Sequence, residues 1–262
     1  MKKNEKKLIK ARGGGRNGVG SRFLGGRRGL CYVARMPRRR RFASGGYVYH
    51  ALNRAVGRAT LFAKEGDYAA FEKVLHQAKE WQPIRLLAYC LMPNHWHLVL
   101  WPQHDGELSE FLRWLTVTHT QRWHAHHQTA GTGPLYQGRF KSFPIQDDEH
   151  VLTVCRYVER NPLRAGLVQR AQAWQWSSLW RRCEGDPTGL LDAGPAPLPA
   201  GWLRHVNAAA TEAELEALRR SVVRGRPYGE EGWVKATAEK LGLQATLRSV
   251  GRPRKRTEIV YE

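Results

Sequence analysis

The stretch IRLLAYCLMPNHWHLVLW occupies residues 84–101 and consists of two apolar runs, 84–92 and 95–101, on either side of Pro93-Asn94. A Pro-Asn dipeptide favours a turn. Apolar runs of this length that are bounded by a turn are typical of neighbouring strands. The stretch therefore predicts a hairpin or a strand-turn-strand unit.

The flanking sequence alternates between strand and helix patterns. Apolar residues recur at helical spacing before and after the hairpin, and Asp147-Asp148 can cap a third helix that ends at Asn161-Pro162. This order predicts an α+β fold in which helices back an antiparallel sheet, with residues 174–180 sealing its edge. The predicted elements are a strand over 47–52, a helix over 68–81, the hairpin, a helix over 108–127, a strand over 139–145 and a helix over about 148–161.

Composition divides the chain into four segments. Residues 1–36 are rich in Gly, Lys and Arg, which predicts a flexible basic extension, and Met36 is an alternative start. Residues 37–182 contain the predicted α+β domain, and the Gly- and Pro-rich residues 183–206 predict a linker. Residues 207–262 predict a small basic helical segment that binds DNA, with a capping-box spacing at its start.

The charge balance favours a polyanionic partner. The chain has 43 Lys and Arg against 23 Asp and Glu, a net charge of +20, and +14 of this lies in residues 1–41. Such a balance is typical of proteins that bind nucleic acid, although a basic soluble or ribosomal protein fits it equally.

Cysteine usage and hydropathy predict an intracellular protein. Cys31, Cys90, Cys155 and Cys183 form no CxxC pair, which indicates reduced, buried thiols. No stretch reaches the length of a membrane span, and the N-terminus lacks the pattern of a secretion signal. We expect a cytoplasmic bacterial protein associated with the nucleoid.

His95-Trp96-His97 is the first candidate site. Residues i and i+2 of a strand point to the same face, so both imidazoles can bind one cation. An HxH pair alone is weak evidence, because the chain has 11 histidines and such pairs arise by chance.

Tyr157 and Asn161 lie one turn apart on the third predicted helix, so their side chains can address one site. A tyrosine packed at the helix border fits the same spacing. A phenol with a pKa of about 10 needs an activated electrophile, which a divalent ion bound to a scissile phosphate supplies. Two histidines and an amide oxygen leave coordination positions open. Imidazole is softer than Mg²⁺ prefers, so Mn²⁺ or another transition metal should also work.

Three motifs carry a family resemblance: MPNHWHLVLW, LYQGRFKS and VCRYVERNPLRAGLV, in this order. Over about residues 37–182 the chain resembles the single-tyrosine HUH transposases, in particular the REP-associated tyrosine transposases. The resemblance implies metal binding by His95 and His97, with Asn161 as a third ligand and Tyr157 as the catalytic nucleophile. The metal would be Mg²⁺ or Mn²⁺.

The resemblance also implies a ferredoxin-like antiparallel sheet, the HUH endonuclease fold. The implied activity is cleavage and rejoining of single-stranded DNA, with hairpin-forming repeats as the expected substrate, through a 5′-phosphotyrosine intermediate. The protein would act as a monomer or a homodimer.

Basic residues near the site can hold phosphates without reading sequence, although a solvated surface charge fits each position equally. Arg224–Pro227 and residues 251–255 resemble AT-hook cores. His50, in HALNR, is either close to the metal or a satisfied core histidine. The predicted DNA contacts are Arg139, Lys141, Arg160, Arg164, Arg252 and Arg254.

Alternatives remain for the nucleophile and for the function. Tyr68, Tyr89 and Tyr136 compete with Tyr157 but would have to reach the metal from a distant helix, a strand or a loop. A catalytically inactive DNA- or RNA-binding regulator on the same fold is the main rival. A zinc hydrolase is less favoured, because the sequence lacks the pattern of an acidic residue and an additional histidine that usually follows an HxH pair in metallo-hydrolases, and His104 is too isolated to supply it.

Overall fold

The computed structural model describes residues 43–248. The predicted extension over 1–36, together with Cys31, Arg252, Arg254 and the motif over 251–255, lies outside these residues. Within them, no helix has both the length and the apolar character that crossing a membrane requires. The elements are β1 (Val48–Arg54), α1 (Glu65–Trp81), β2 (Arg85–Met92), β3 (His95–Trp101), α2 (Glu107–His127), β4 (Lys141–Ile145), α3 (Glu149–Glu159), α4 (Asn161–Arg164), α5 (Ser178–Glu184), α6 (Trp202–Asn207), α7 (Glu212–Arg224) and α8 (Glu231–Lys240).

The four strands form one antiparallel sheet in the order β2-β3-β1-β4. With α1 and α2 as the two connecting helices, this is the ferredoxin-like βαββαβ arrangement. Met92 pairs with His95 across the Pro93-Asn94 turn, so the predicted hairpin is confirmed. The predicted α+β class with an antiparallel sheet is likewise confirmed.

The sheet separates two apolar layers. Side chains from alternate strand positions, such as Tyr89, Trp96 and Leu98, pack with Phe71 of α1 and Phe111 of α2. The opposite positions face α3 and the helices that follow it. That second layer contains Val48, Ala88, Cys90, Val99, Phe143, Ile145, Val151, Val154, Cys155 and Val158.

The backbone stays helical where α3 ends, because Arg160 keeps α-helical backbone angles. α3 ends at Glu159, and Asn161 and Pro162 begin the four-residue helix α4. The predicted end of the third helix near Asn161-Pro162 is confirmed to within two residues, but the predicted loss of helical geometry before the proline was wrong. Proline is tolerated in the first turn of a helix, where its missing N–H has no intrahelical partner to lose.

Residues 174–180 cover the exposed edge of β2, as predicted. Trp174 donates its indole N–H to the Leu91 carbonyl at 2.8 Å, and the Leu91 amide donates to the Trp176 carbonyl at 2.9 Å. The Ser178 hydroxyl accepts from the Tyr89 amide at 3.0 Å. These bonds satisfy edge groups that would otherwise be open to another chain.

The residues predicted as a linker lie against the sheet. Leu190 is 1% exposed, and the Asp192 carboxylate accepts from the Leu86 amide at 2.7 Å. Trp202 of α6 is buried, as is Leu218 of α7, in the layer that contains α3. The described residues belong to one compact unit. A division of the chain at 183–206 stays a prediction.

The cysteine prediction is correct for two of the three described thiols. Cys90 and Cys155 are free and buried between the sheet and α3. Cys183 is free but exposed, so its predicted burial was wrong. It lies in the last turn of α5 between Arg182 and Glu184, on the solvent side of the helix.

Candidate functional site

The two histidines of β3 share the sheet face that packs against α3. In the antiparallel register His97 lies opposite Leu52 and His95 opposite Arg54. Because facing residues and residues two apart share one face, His95, His97, His50 and Arg54 all project from the same side. Trp96 projects from the other side, where its indole N–H donates to the Tyr136 hydroxyl at 3.0 Å.

Hydrogen bonds at Nδ1 orient both β3 histidines. His95 Nδ1 lies 2.6 Å from Asn94 Oδ1, an oxygen that only accepts, so this nitrogen carries the proton and Nε2 is bare. His97 Nδ1 lies 2.9 Å from His50 Nε2. In the tautomer in which His97 donates this bond, its Nε2 is bare as well. Each ring then presents one nitrogen lone pair to a ligand.

Burial keeps these imidazoles neutral. Desolvation, aided by the charges of Arg54 and Arg164, lowers the pKa of His95 to about 4. Desolvation also lowers the pKa of His50 to about 3 and holds the pKa of His97 well below its usual value. Neutral imidazole is the form that binds a metal, so the lone pairs are available at neutral pH without proton loss.

Tyr157 lies against this histidine cluster. Its ring centroid is 6.1 Å from that of His97 and 6.3 Å from that of His50, with ring planes close to perpendicular. The side chain is half-buried and also lines a shallow pocket with Arg156, Arg160 and Arg164. The structure thus brings the predicted tyrosine and the predicted histidine pair to one side of the sheet.

Asn161 is 1% exposed and turns its amide nitrogen back toward the last turn of α3. Its Nδ2 donates to the Tyr157 carbonyl at 3.0 Å, and its Oδ1 accepts from the Arg164 guanidinium at 2.6 Å. The same guanidinium lies 5.4 Å above the Tyr157 ring. A carbonyl oxygen has two lone pairs, so Oδ1 keeps one acceptor position after binding Arg164.

The competing tyrosines lie on the other side of the sheet. Tyr68, Tyr89 and Tyr136 all belong to the layer that packs against α1 and α2. The Tyr89 hydroxyl donates to Glu72 at 2.6 Å, and the Tyr136 hydroxyl lies 2.7 Å from His119 Nδ1. Burial raises the pKa of all three, that of Tyr68 to about 12. Their position separates them from the β3 histidines.

The predicted phosphate contacts have different surroundings. Arg139, Lys141 and Arg164 are exposed; Lys141 is the first residue of β4, and Arg139 lies two residues before it. The Arg160 guanidinium donates to the carbonyls of Val206 and Asn207 at the end of α6. Arg160 therefore holds α6 in place, and its contact with DNA stays a prediction.

Sequence reasoning left Asn94 out of the site and did not decide the place of His50 in HALNR, the segment that ends at Arg54. The structure places His50 both in the core, 0% exposed, and in contact with His97. The Arg54 Nε atom is buried without a hydrogen-bond partner. The spacing along β1 was the available signal: His50, Leu52 and Arg54 are two residues apart and so share one face of their strand, as His95 and His97 do.

The donor set fits a divalent metal. His95 and His97 supply neutral imidazole nitrogens, and each holds its second nitrogen in a hydrogen bond, as metal-binding histidines do. The Asn161 amide oxygen accepts from Arg164, and its approach to the two histidines stays a prediction. Two or three protein ligands leave positions for phosphate oxygens and water, as a catalytic site requires.

The fold and the site define a class of protein: a ferredoxin-like domain with a histidine pair on one sheet face and a tyrosine from the following helix beside it. Residues 44–161 match the family model described as "Transposase IS200 like". The match confirms, over residues 44–161, the resemblance carried by the sequence motifs. Members of such a family are DNA-processing enzymes.

Three individual proteins are similar to parts of this chain. A Haemophilus influenzae protein named as a REP-associated tyrosine transposase is 25% identical over 154 residues, which cover 55% of this chain and 85% of the relative. A solved REP-associated tyrosine transposase bound to a REP hairpin is 21% identical, with a TM-score of 0.46 over 63% of this chain and 96% of that chain. A transposase structure from Deinococcus radiodurans is 19% identical, with a TM-score of 0.34 over 47% of this chain and 96% of that one.

Proposed function

We propose that this protein is a metal-dependent transposase that cleaves and rejoins single-stranded DNA at hairpin-forming repeats. Tyr157 is the nucleophile, and His95 and His97 hold the metal. One observation carries the proposal: the Tyr157 ring stands edge-on to the His97 ring at 6.1 Å, on the sheet face from which His95 also projects. The name of the Haemophilus relative supports repeats of the REP type as the substrate class.

The bound metal would neutralise the scissile phosphate and orient it for in-line attack. Tyr157 Oη forms a bond to phosphorus as the bond from phosphorus to the 3′ oxygen breaks. The phenol proton leaves to solvent, and the departing oxygen takes up a proton to become a 3′-hydroxyl. A later attack by a second 3′-hydroxyl restores the phosphodiester and frees the tyrosine, so no external energy source is consumed.

Arg164 has two positioning roles in this scheme. Its guanidinium lies over the Tyr157 ring at 5.4 Å, where a cation favours the negative charge that develops on the phenol oxygen. It also holds Asn161 Oδ1 at 2.6 Å, on the helix face that carries Tyr157. We propose Asn161 as the third metal ligand through the remaining lone pair of this oxygen.

Three exposed basic side chains near the site would add contacts to the DNA backbone. Arg139, Lys141 and Arg164 would contact phosphates and so hold DNA without reading its sequence. This part of the binding should weaken steeply as salt is raised, because each phosphate contact releases counterions.

The test is formation of a covalent protein–DNA adduct that survives denaturation. The full chain is mixed with a hairpin-bearing oligonucleotide labelled on the 3′ side of the cut, with Mn²⁺, with Mg²⁺ or with EDTA. We expect an adduct with either metal, none with EDTA, and none with Tyr157→Phe or His95→Ala. Tyr47→Phe, which removes the hydroxyl of a half-buried tyrosine away from the histidines, is the control.

The inactive-regulator alternative predicts a different result in the same experiment. A protein that binds the hairpin with unchanged affinity but forms no adduct with any divalent metal would support it. An adduct that persists in Tyr157→Phe would move the nucleophile to another residue.

A further inference from the structure

A second group of metal-ligating side chains lies where the end of α2 meets the start of α1. It consists of Asp67, His126 and His127, whose candidate ligand atoms all lie within 4.8 Å of one another. Over residues 43–248 it is the one group of three or more His, Cys, Asp or Glu side chains this close together. It belongs to the helices on the sheet face opposite the Tyr157 site.

Asp67 is arranged as a metal-binding carboxylate. Its side chain is 4% exposed, and Oδ2 accepts from the backbone amides of Ala63 at 2.9 Å and Lys64 at 3.2 Å. Such bonds fix the orientation of the carboxylate and leave Oδ1 directed toward the end of α2. Carboxylates that bind metals are commonly held by hydrogen bonds of this kind.

His127 presents a buried nitrogen that nothing satisfies. Its Nε2 atom has no hydrogen-bond partner and lies 3.6 Å from Asp67 Oδ1, which is too long for a hydrogen bond. Two ligands at about 2.0–2.1 Å from a tetrahedral ion lie about 3.4 Å apart. The observed separation therefore suits a cation between the two atoms, and the Trp123 ring at 4.2 Å packs against the imidazole.

We propose that Asp67, His126 and His127 bind a zinc-like transition-metal ion that fastens the end of α2 to the start of α1. His126 is exposed and adjacent, so it can rotate to complete the set, with water in the fourth position. Two imidazoles and one carboxylate suit Zn²⁺ or Co²⁺ better than Mg²⁺. The proposal does not depend on the transposase mechanism, because it involves none of the residues assigned to it.

Metal binding is measured in the full chain carrying His95→Ala and His97→Ala, without DNA. We expect one equivalent of Zn²⁺ by calorimetry, a tetrahedral Co²⁺ absorption spectrum, and a higher Tm with Zn²⁺. Adding His126→Gln and His127→Gln should weaken binding at least tenfold and remove the Tm shift. Adding His104→Gln and His205→Gln instead, two exposed histidines elsewhere, should change neither.

His126→Gln alone keeps the test valid if the double change unfolds the protein, since this side chain is exposed. It should still weaken Zn²⁺ binding severalfold. If the chain lacking His95 and His97 binds no Zn²⁺, or binds it equally without His126 and His127, then Asp67 and His127 form an ion pair only and the proposal is wrong.

Discussion

His50 Nε2 and His97 Nδ1 lie 2.9 Å apart between neighbouring strands, with the two imidazole rings stacked at a centroid distance of 5.0 Å. When His97 donates this bond, its Nε2 is left bare for a metal. The proton of His50 is then on Nδ1, a buried atom without a hydrogen-bond partner. His50 thus acts through His97 as a positioning residue.

Replacing His50 should weaken metal binding without removing a ligand. We expect His50→Phe to lower Mn²⁺ affinity about 10- to 100-fold, the usual effect of losing a partner that orients a ligating histidine. His50→Gln, whose amide oxygen can accept from His97 Nδ1, should restore part of that affinity. Calorimetric titration of the DNA-free protein measures this, and equal affinity in His50→Phe and the parent would contradict the role.

The active site should be complete within one chain, because His97 and Tyr157 of the same chain lie 6.1 Å apart. A mixture of Tyr157→Phe and His97→Ala proteins should therefore form no adduct beyond the sum of the two alone. The adduct assay on the mixed proteins, after unfolding and refolding together, measures this. Recovery of a substantial fraction of wild-type adduct would show that two copies exchange the tyrosine helix.

Stability should fall as the pH is lowered from about 6.5 toward 4. The folded-state pKa of His50 is about 3 and that of His95 about 4, both below the unfolded value of 6.5. In this window the unfolded chain binds more protons than the folded one, so each group favours unfolding as the pH drops. For His50, which is fully buried, the loss at pH 5 is on the order of 2 kcal/mol.

Thermal denaturation from pH 4.5 to 7.5 measures this dependence. His50→Phe should show a flatter curve than the parent, while His104→Gln, at an exposed position, should follow the parent. A parent curve that is level across this range would contradict the burial of neutral histidines.

Trp202 should contribute to the stability of the whole described unit. Its indole N–H donates to the fully buried Glu159 carboxylate at 2.7 Å, which also accepts from Ser178 at 2.6 Å. Trp202→Phe leaves a carboxylate oxygen unsatisfied, which costs about 1–3 kcal/mol. Urea denaturation should show one shifted transition, with Trp81→Phe, at an exposed tryptophan, as control. Two separate transitions would instead favour an independent C-terminal segment.

Much of the fold follows from local patterns. The two apolar runs around Pro93-Asn94 predict β2 and β3, and helical spacing predicts α1, α2 and α3 close to their observed bounds. The pairing of His95 with His97 follows from the two-residue repeat of a strand, and that of Tyr157 with Asn161 from the 3.6-residue repeat of a helix. That the two pairs meet was implied by the family resemblance and not by either repeat. These are properties of neighbouring residues, so one sequence is enough to reveal them.

Other features depend on contacts between distant segments. His50 meets His97 because of the register between β1 and β3, and no local pattern specifies that register. The Gly- and Pro-rich residues 183–206 have the composition of a linker, yet Leu190 and Asp192 pack on α1 and β2. Likewise, the sequence alone does not show that the Arg160 guanidinium donates to a backbone carbonyl of α6.

The central claim is that Tyr157 becomes linked to DNA at a metal held by His95 and His97, and peptide mapping of the adduct tests it most directly. Complete trypsin digestion releases Tyr157 in the four-residue peptide YVER, residues 157–160, after nuclease trimming of the DNA. We predict nucleotide mass on the phenol of this peptide, in samples with Mn²⁺ and not in those with EDTA. Nucleotide mass on a peptide carrying another tyrosine, or an unmodified YVER in purified adduct, would contradict the account.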